Sequence, residues 1–308
     1  MEVINVLKIN YFLARIFGMS TRVVVSNYFA YSKIAHYYSL IILFTNSLFQ
    51  ITYLLDTTIS RPIENMERFL ASLDFWGFMF NSTFTTFMIY FNDFNLCFYL
   101  AQIKRIHIEI LKAEHHHREK LYLINNFLII LGLLIAFLMT FFDTIGYYLA
   151  FGNSGFFVFV KFGSMLFRSF SHSIIFILLT IFVFIIGLSY DAINNILMIL
   201  QKPKSFKRKQ LMSAFSVFNY YELVEKLQYV DYVLKEFSML VNTIFSVYGA
   251  CLSGNLFFEL LYTLRAYIYG TNQKWYDHVS SGVWVLYFGS QFIGCIVACE
   301  YTKRKVWL

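Results

Sequence analysis

The sequence predicts an all-α, polytopic helical membrane protein, with six transmembrane helices and a helical cytoplasmic layer, and three observations carry that expectation. The chain of 308 residues is 58% hydrophobic and 14% charged, with a mean hydropathy of +0.58, whereas a soluble domain carries about a quarter charged residues. Six apolar stretches, at about 36–55, 69–91, 122–148, 157–188, 237–264 and 280–299, are each long enough to cross roughly 30 Å of hydrocarbon as a helix. Only two prolines, Pro62 and Pro203, fall in the chain, so nearly every helix can run unbroken.

The first 35 residues come before any span. Lys8 and Arg15 interrupt `MEVINVLKINYFLARIF` and no small-residue cleavage site follows, so it does not read as a cleaved signal peptide. With a cytoplasmic N-terminus, the inside segments hold nineteen Lys and Arg and the outside segments five. That bias sets the orientation, with both termini inside. It accounts for the net charge of +7 without a nucleic-acid partner. A single receptor-like domain, 1–308, follows: a cytoplasmic segment 1–35, a bundle 36–299 and a cytoplasmic end 300–308. Cys97, Cys251, Cys295 and Cys299 lie in apolar or cytoplasmic segments, so no disulfide and no metal site is expected.

The longest helical pattern is Tyr221–Arg265. Leu223, Leu227, Val230, Leu234, Phe237, Val241, Ile244 and Tyr248 recur in steps of four and three with charges between them, which makes a packing seam. From Phe237 to Leu264 the charges vanish except Glu259, as they must in lipid. One helix of about 67 Å is expected to rise from the cytoplasm into span five. Ile103–Leu121 offers its seam a charged, helix-compatible partner on the same side. The run His115, His116, His117 reads as a solvated loop, since adjacent helix residues point about 100° apart and cannot share one ion.

Three stretches carry a family resemblance: `FLARIFGMS` before span one; `YELVEKLQYVDYVLKEFSMLVNTIFS`, whose long helix reaches Asn242, Phe245 and Ser246; and `CIVACEYTKRK` after span six. In these the chain resembles the insect gustatory receptors, within the insect chemoreceptor superfamily. The resemblance implies a plasma-membrane taste receptor subunit of the ligand-gated cation channel type, with an inside N-terminus. It implies a homo- or hetero-tetramer with related subunits, a cytoplasmic anchor layer, a small-molecule tastant as ligand and no cofactor. The family continues into a seventh, pore-lining span with Thr-Tyr, five apolar residues and Gln-Phe. This sequence ends at Leu308 after `EYTKRKVWL`, which reads as an incomplete sequence or a truncated product.

Ionisable residues inside spans are costly and stand as functional candidates. Asp74, Asp143, Arg168 and Glu259 all fall in the outer half of their spans under this orientation. His172 lies four residues after Arg168, on the same helix face. With Tyr147, Tyr148, Tyr248 and Tyr262 these residues are expected to line an outward-facing pocket for a small tastant. The competing reading is that Arg168 pairs with Asp143 or Glu259 to hold helices together. Asn242 and Ser246, four apart, are read as bonding across to another helix, for packing or for gating. The patterns of a serine nucleophile elbow, a zincin helix and a phosphate-binding loop are absent from the sequence, so no enzyme is expected. The alternatives to a taste receptor are a six-span transporter using the same charges and an odorant-type chemoreceptor; the inside N-terminus opposes a G-protein-coupled receptor.

Overall fold

The computed structural model describes the backbone of residues 3–25, 28–59, 66–109, 115–151, 155–201, 220–269 and 275–306. Side chains are described mainly over 6–48, 83–106, 121–142, 165–198, 224–261 and 282–306. Seven helices and one hairpin follow in order: α1 (Val3–Ile16), β1 (Arg22–Val25), β2 (Tyr28–Tyr31), α2 (Lys33–Ile59), α3 (Met66–Glu109), α4 (His115–Phe151), α5 (Gly155–Gln201), α6 (Tyr220–Tyr269) and α7 (Trp275–Val306).

The helical class holds. Among the described residues, four stretches are long and apolar enough to cross a membrane: Leu121–Phe142, Met165–Met198, Val224–Leu261 and Gly282–Val306. The expected spans 36–55 and 69–91 fall within α2 and α3, but the side chains of 49–82 lie outside the described residues. The hairpin was not foreseen. Val23, Val24 and Val25 pair antiparallel with Ala30, Phe29 and Tyr28, a β-branched and aromatic set suited to strands. The described parts of Ile103–Leu121 are helical, to Glu109 in α3 and from His115 in α4, so the run read as a loop opens α4 instead; residues 110–114 lie outside the described residues.

The axis of the bundle is α5. Every residue from Ser171 to Val183 is buried, more than three turns, so the helix is covered on all sides. Of its most apolar window 83% is buried, against 22–28% for the other three candidate spans. Three neighbours meet it through a glycine or an aromatic pair. A Cβ on Gly132 of α4 would come within 3.2 Å of Ile177, and one on Gly187 within 2.9 Å of Thr302 of α7. Phe182 meets Phe237 of α6 edge-on at 5.8 Å between centroids.

The seam of α6 forms as expected and runs further than expected. Val230, Leu234, Phe237, Val241, Ile244, Tyr248, Leu252, Asn255 and Glu259 are all buried, in steps of three and four. Its first half packs along α3, where Leu96, Leu100 and Ile103 are buried and the Tyr229 hydroxyl donates to Gln102 Oε1 at 3.3 Å. Hydroxyls elsewhere in the apolar helices turn back onto their own backbone: those of Ser47, Thr140, Ser171, Ser189 and Ser253 donate to the carbonyl one turn earlier at 2.7–2.8 Å. Each thereby gives its hydroxyl proton a backbone acceptor on its own helix.

Residues 1–35, read as a segment before the first span, contain a helix packed against the bundle. Asn10 of α1 and Asn125 of α4 exchange two amide hydrogen bonds at 2.8 and 2.9 Å, and Phe17 packs on Phe167 of α5 at 4.9 Å. The turn after α1 depends on Gly18. The Gly18 N–H bonds to Arg15 O and the Met19 N–H to Ala14 O, the paired bonds of a Schellman cap, with Gly18 at φ 75°. A side chain there would also come within 3.0 Å of Ile42 on α2. Glycine is therefore required twice, by backbone conformation and by close approach.

Candidate functional site

The buried seams of α5, α6 and α7 converge on one polar cluster. Ser169, His172 and Ser173 of α5 share a helix face, Tyr248 comes from α6, and Tyr287 and Gln291 come from α7; all six are buried. The Tyr248 hydroxyl donates to Gln291 Oε1 at 2.8 Å and the Tyr287 hydroxyl to Ser169 O at 2.9 Å. Both phenol protons are then used, so each phenol oxygen can only accept from a third partner. His172 Nδ1 lies 3.3 Å from the Tyr248 oxygen and 3.4 Å from the Tyr287 oxygen. It is therefore the donor, dividing one N–H between two acceptors. The Ser173 hydroxyl donates to the Tyr287 oxygen at 2.9 Å. Thr140 of α4 reaches Ser169 Oγ at 3.3 Å and brings the fourth helix in.

Rings close the cluster. His172 lies 5.0 Å from Tyr248, 5.9 Å from Tyr287 and 5.9 Å from Phe288 between centroids. The arrangement ties α5, α6 and α7 together through buried hydrogen bonds. The two long contacts to His172 are its weakest points, since hydrogen bonds weaken beyond about 3.2 Å.

Of the residues the sequence pointed to, the structure brings His172 and Tyr248 together. Arg168 is buried one turn from His172, while Glu259, also buried, stands eleven residues or about 16 Å beyond Tyr248 along α6. Glu259 therefore lies in a layer about three turns of α6 from Tyr248. The side chains of Asp74, Asp143, Tyr147, Tyr148 and Tyr262 lie outside the described residues. Asn242 is exposed, Phe245 is half-buried, and the Ser246 hydroxyl donates to Asn242 O at 2.7 Å. Among the described residues of this chain the pair bonds within α6 and not across to another helix. The sequence reading missed Ser169, Tyr287 and Gln291. Tyr287 and Gln291 are four apart on one face, and Gln291 is the one carboxamide in 280–299; that was the available signal.

A second buried polar cluster fastens the N-terminal hairpin to α3. Asp93 accepts from the Ser20 hydroxyl at 2.8 Å, the Thr21 N–H at 2.9 Å and the Thr21 hydroxyl at 2.8 Å, with the Cys97 thiol at 3.7 Å. Burial raises the Asp93 carboxyl above the ordinary carboxylate value, opposed by the Thr21 and Ser20 hydrogen bonds and by Arg22. The Tyr11 phenol and the Cys97 thiol beside it are pushed well up, again chiefly by burial.

Comparison with known proteins brings no family-model match and no match among curated proteins.

Proposed function

We propose that the chain is a chemoreceptor subunit of the insect gustatory type, a multi-pass plasma-membrane protein with its N-terminus in the cytoplasm, responding to a small tastant. Six membrane crossings follow if α2 and α3 join the four apolar helices. The observation that supports this reading most is the continuity of α6. A single buried seam runs from Val230, packed on α3, to Tyr248 in the His172 cluster, so a guest that separates Tyr248 from His172 acts directly on a rigid lever about 27 Å long. Tyr248 lies 21 residues, or about 31 Å, along α6 from its Tyr269 end. The cluster is thus the floor of an outward-facing ligand region, with Arg168 and Glu259 above it.

The ligand is an apolar or sugar-like molecule whose hydroxyl replaces the long contact between His172 and a phenol. Assembly as a tetramer with related subunits suits the exposed face of α6, where Asn242, Thr243, Ser246, Ala250 and Ser253 present a narrow, small and polar strip. Small residues of this kind let helices approach closely within lipid.

The test is calcium influx in cells co-expressing the chain with related subunits, exposed to sugars, polyols and apolar tastants. Tyr248→Phe removes the donor to Gln291 and is expected to shift the half-maximal concentration about tenfold, the equivalent of a buried hydrogen bond worth about 1.4 kcal/mol. An unchanged dose–response at equal surface expression would overturn the reading. The buried Arg168 and Glu259 favour one alternative, a transporter with a charged path; that alternative requires saturable uptake by the chain alone.

A further inference from the structure

The N-terminal hairpin holds a cation that the protein only partly neutralises. Arg22 stacks with its guanidinium carbon 5.4 Å from the Tyr31 ring and 5.0 Å from the Phe94 ring, which fixes the plane of the fork. Its Nε is buried without a hydrogen-bond partner. The nearest carboxylate oxygen, Asp93 Oδ2, stands 3.9 Å away, too far for a hydrogen bond. Asp93 has nothing left to offer: two contacts on Oδ1, from Ser20 and Cys97, and two on Oδ2, both from Thr21, fill its four acceptor positions.

The surroundings are cationic and apolar. From residue 3 to residue 55 the sequence contains Lys8, Arg15, Arg22 and Lys33 and no acidic residue. Tyr28, Tyr31, Tyr37, Phe91 and Phe94 around the hairpin are exposed. The 27 residues of α2 begin at Lys33, and at about 1.5 Å each they reach about 40 Å, enough to cross a bilayer from that point. Cations and aromatic rings gathered where a spanning helix begins are the groups that settle among lipid headgroups.

We infer that Arg22, clamped between Tyr31 and Phe94 and supported by Lys33, binds the headgroup phosphate of an anionic glycerophospholipid in the leaflet at the start of α2. The free edge of the guanidinium gives the planar pair of donors that a phosphate takes up. The exposed rings receive the acyl chains beside it. This inference rests on the membrane reading above but not on the taste-receptor reading.

The test uses the full-length chain in mild detergent, with thermal unfolding followed against added dioctanoyl phosphatidylserine, dioctanoyl phosphatidylcholine or inorganic phosphate. Phosphatidylserine is expected to stabilise at about fivefold lower concentration than phosphatidylcholine, with inorganic phosphate ineffective. Arg22→Gln is expected to abolish the preference, Arg22→Lys to keep part of it and Lys33→Gln to reduce it. Arg304→Gln, on an exposed cation that pairs with Glu300 in α7, is expected to leave it intact. Equal action of the two lipids, or of inorganic phosphate, would overturn the inference, as would a preference that survives Arg22→Gln. Should Arg22→Gln fail to fold, the wild-type preference and its reduction in Lys33→Gln decide. Efficient disulfide cross-linking of Tyr31→Cys between two copies would mark the face as a subunit contact instead, and the lipid proposal would fall. Alkaline carbonate extraction, run in parallel, reports whether the chain is membrane-integral, so a failed lipid site is distinguishable from a failed membrane reading.

Discussion

α5 and α6 are both long apolar helices, yet they do opposite work. Over Ser171–Val183 the whole circumference of α5 is buried; α6 buries one stripe and leaves Met239, Ser246, Ser253, Phe257 and Leu260 exposed. In water a helix that is apolar all round must be an interior one. In a bilayer the inference fails, because lipid accepts the same residues as a protein core does. The difference between the two helices therefore lies in what touches them, and substitution separates them where composition does not.

The largest contrast is expected from truncating side chains. Leu179→Ala on α5, at a fully buried position, opens a cavity in the core and is expected to cost about 2–5 kcal/mol. Met239→Ala on the exposed face of α6 is expected to stay within about 0.5 kcal/mol. Thermal unfolding of the two variants in detergent measures both. Equal effects would mean that α5 is not the axis of the bundle.

The seam of α6 was legible because it alternates. Buried apolar residues and exposed charges such as Glu225 and Lys235 follow a seven-residue rhythm that any burial on one side imposes. The central place of α5 was not legible, since a helix covered on every side has no rhythm to detect. Glycines held a partial signal: Gly187 on α5 and Gly132 on the α4 face against it mark close approaches, but Gly249 and Gly254 on α6 have nothing within 4 Å of a Cβ. The same residue type serves both helices, and only the contacts tell them apart. The His172 cluster was half visible for a related reason. The histidine and Tyr248 were conspicuous in apolar surroundings, whereas Ser169 acts through its backbone on a phenol 118 residues away and Gln291 on a phenol 43 residues away, and sequence distance hides such pairings. The hairpin that carries Arg22 looked like part of a featureless cytoplasmic leader, because four-residue strands are too short for a clear period.

A glycine pair sharpens the contrast further. On α5, Gly187→Ala would set a methyl 2.9 Å from Thr302 Oγ1 and 3.3 Å from Thr302 Cα. Thr302 cannot easily yield, because its hydroxyl donates to Val183 O at 2.8 Å. The expected cost is about 1–3 kcal/mol, read as a lower unfolding temperature with unchanged helical content. A neutral result would show that α7 can slide on α5.

A pH profile then separates the bundle from its N-terminal fastening. Because burial raises the Asp93 carboxyl above its ordinary value, the folded chain holds a proton that the unfolded chain has already released. Its contribution is full below the ordinary carboxylate value of about 3.9 and declines as pH rises through the folded value, with a slope of at most about 1.4 kcal/mol per pH unit. The difference between wild type and Asp93→Asn, followed by thermal unfolding from pH 3 to pH 8, is expected to fall in that direction. A difference that grows with pH would show that Arg22 and the Thr21 donors outweigh burial.

The smallest effect is the most informative about assembly. Gly254→Ala on α6 places a methyl in open space and removes a flexible residue from a helix interior, so it is expected to stabilise the isolated subunit by about 0.5–1 kcal/mol. If another subunit's helix lies along Ser246, Ala250 and Ser253, the added bulk meets that helix instead, and the stabilisation turns into a loss confined to the oligomer. Size-exclusion chromatography with light scattering on wild type, Gly254→Ala and Gly254→Leu distinguishes the two outcomes. A graded loss of oligomer from Ala to Leu, with the monomer still folded, places the partner on this face. Unchanged assembly in all three would leave the face to lipid, and the contrast between α5 and α6 would then be one of protein against lipid rather than of one subunit against the next.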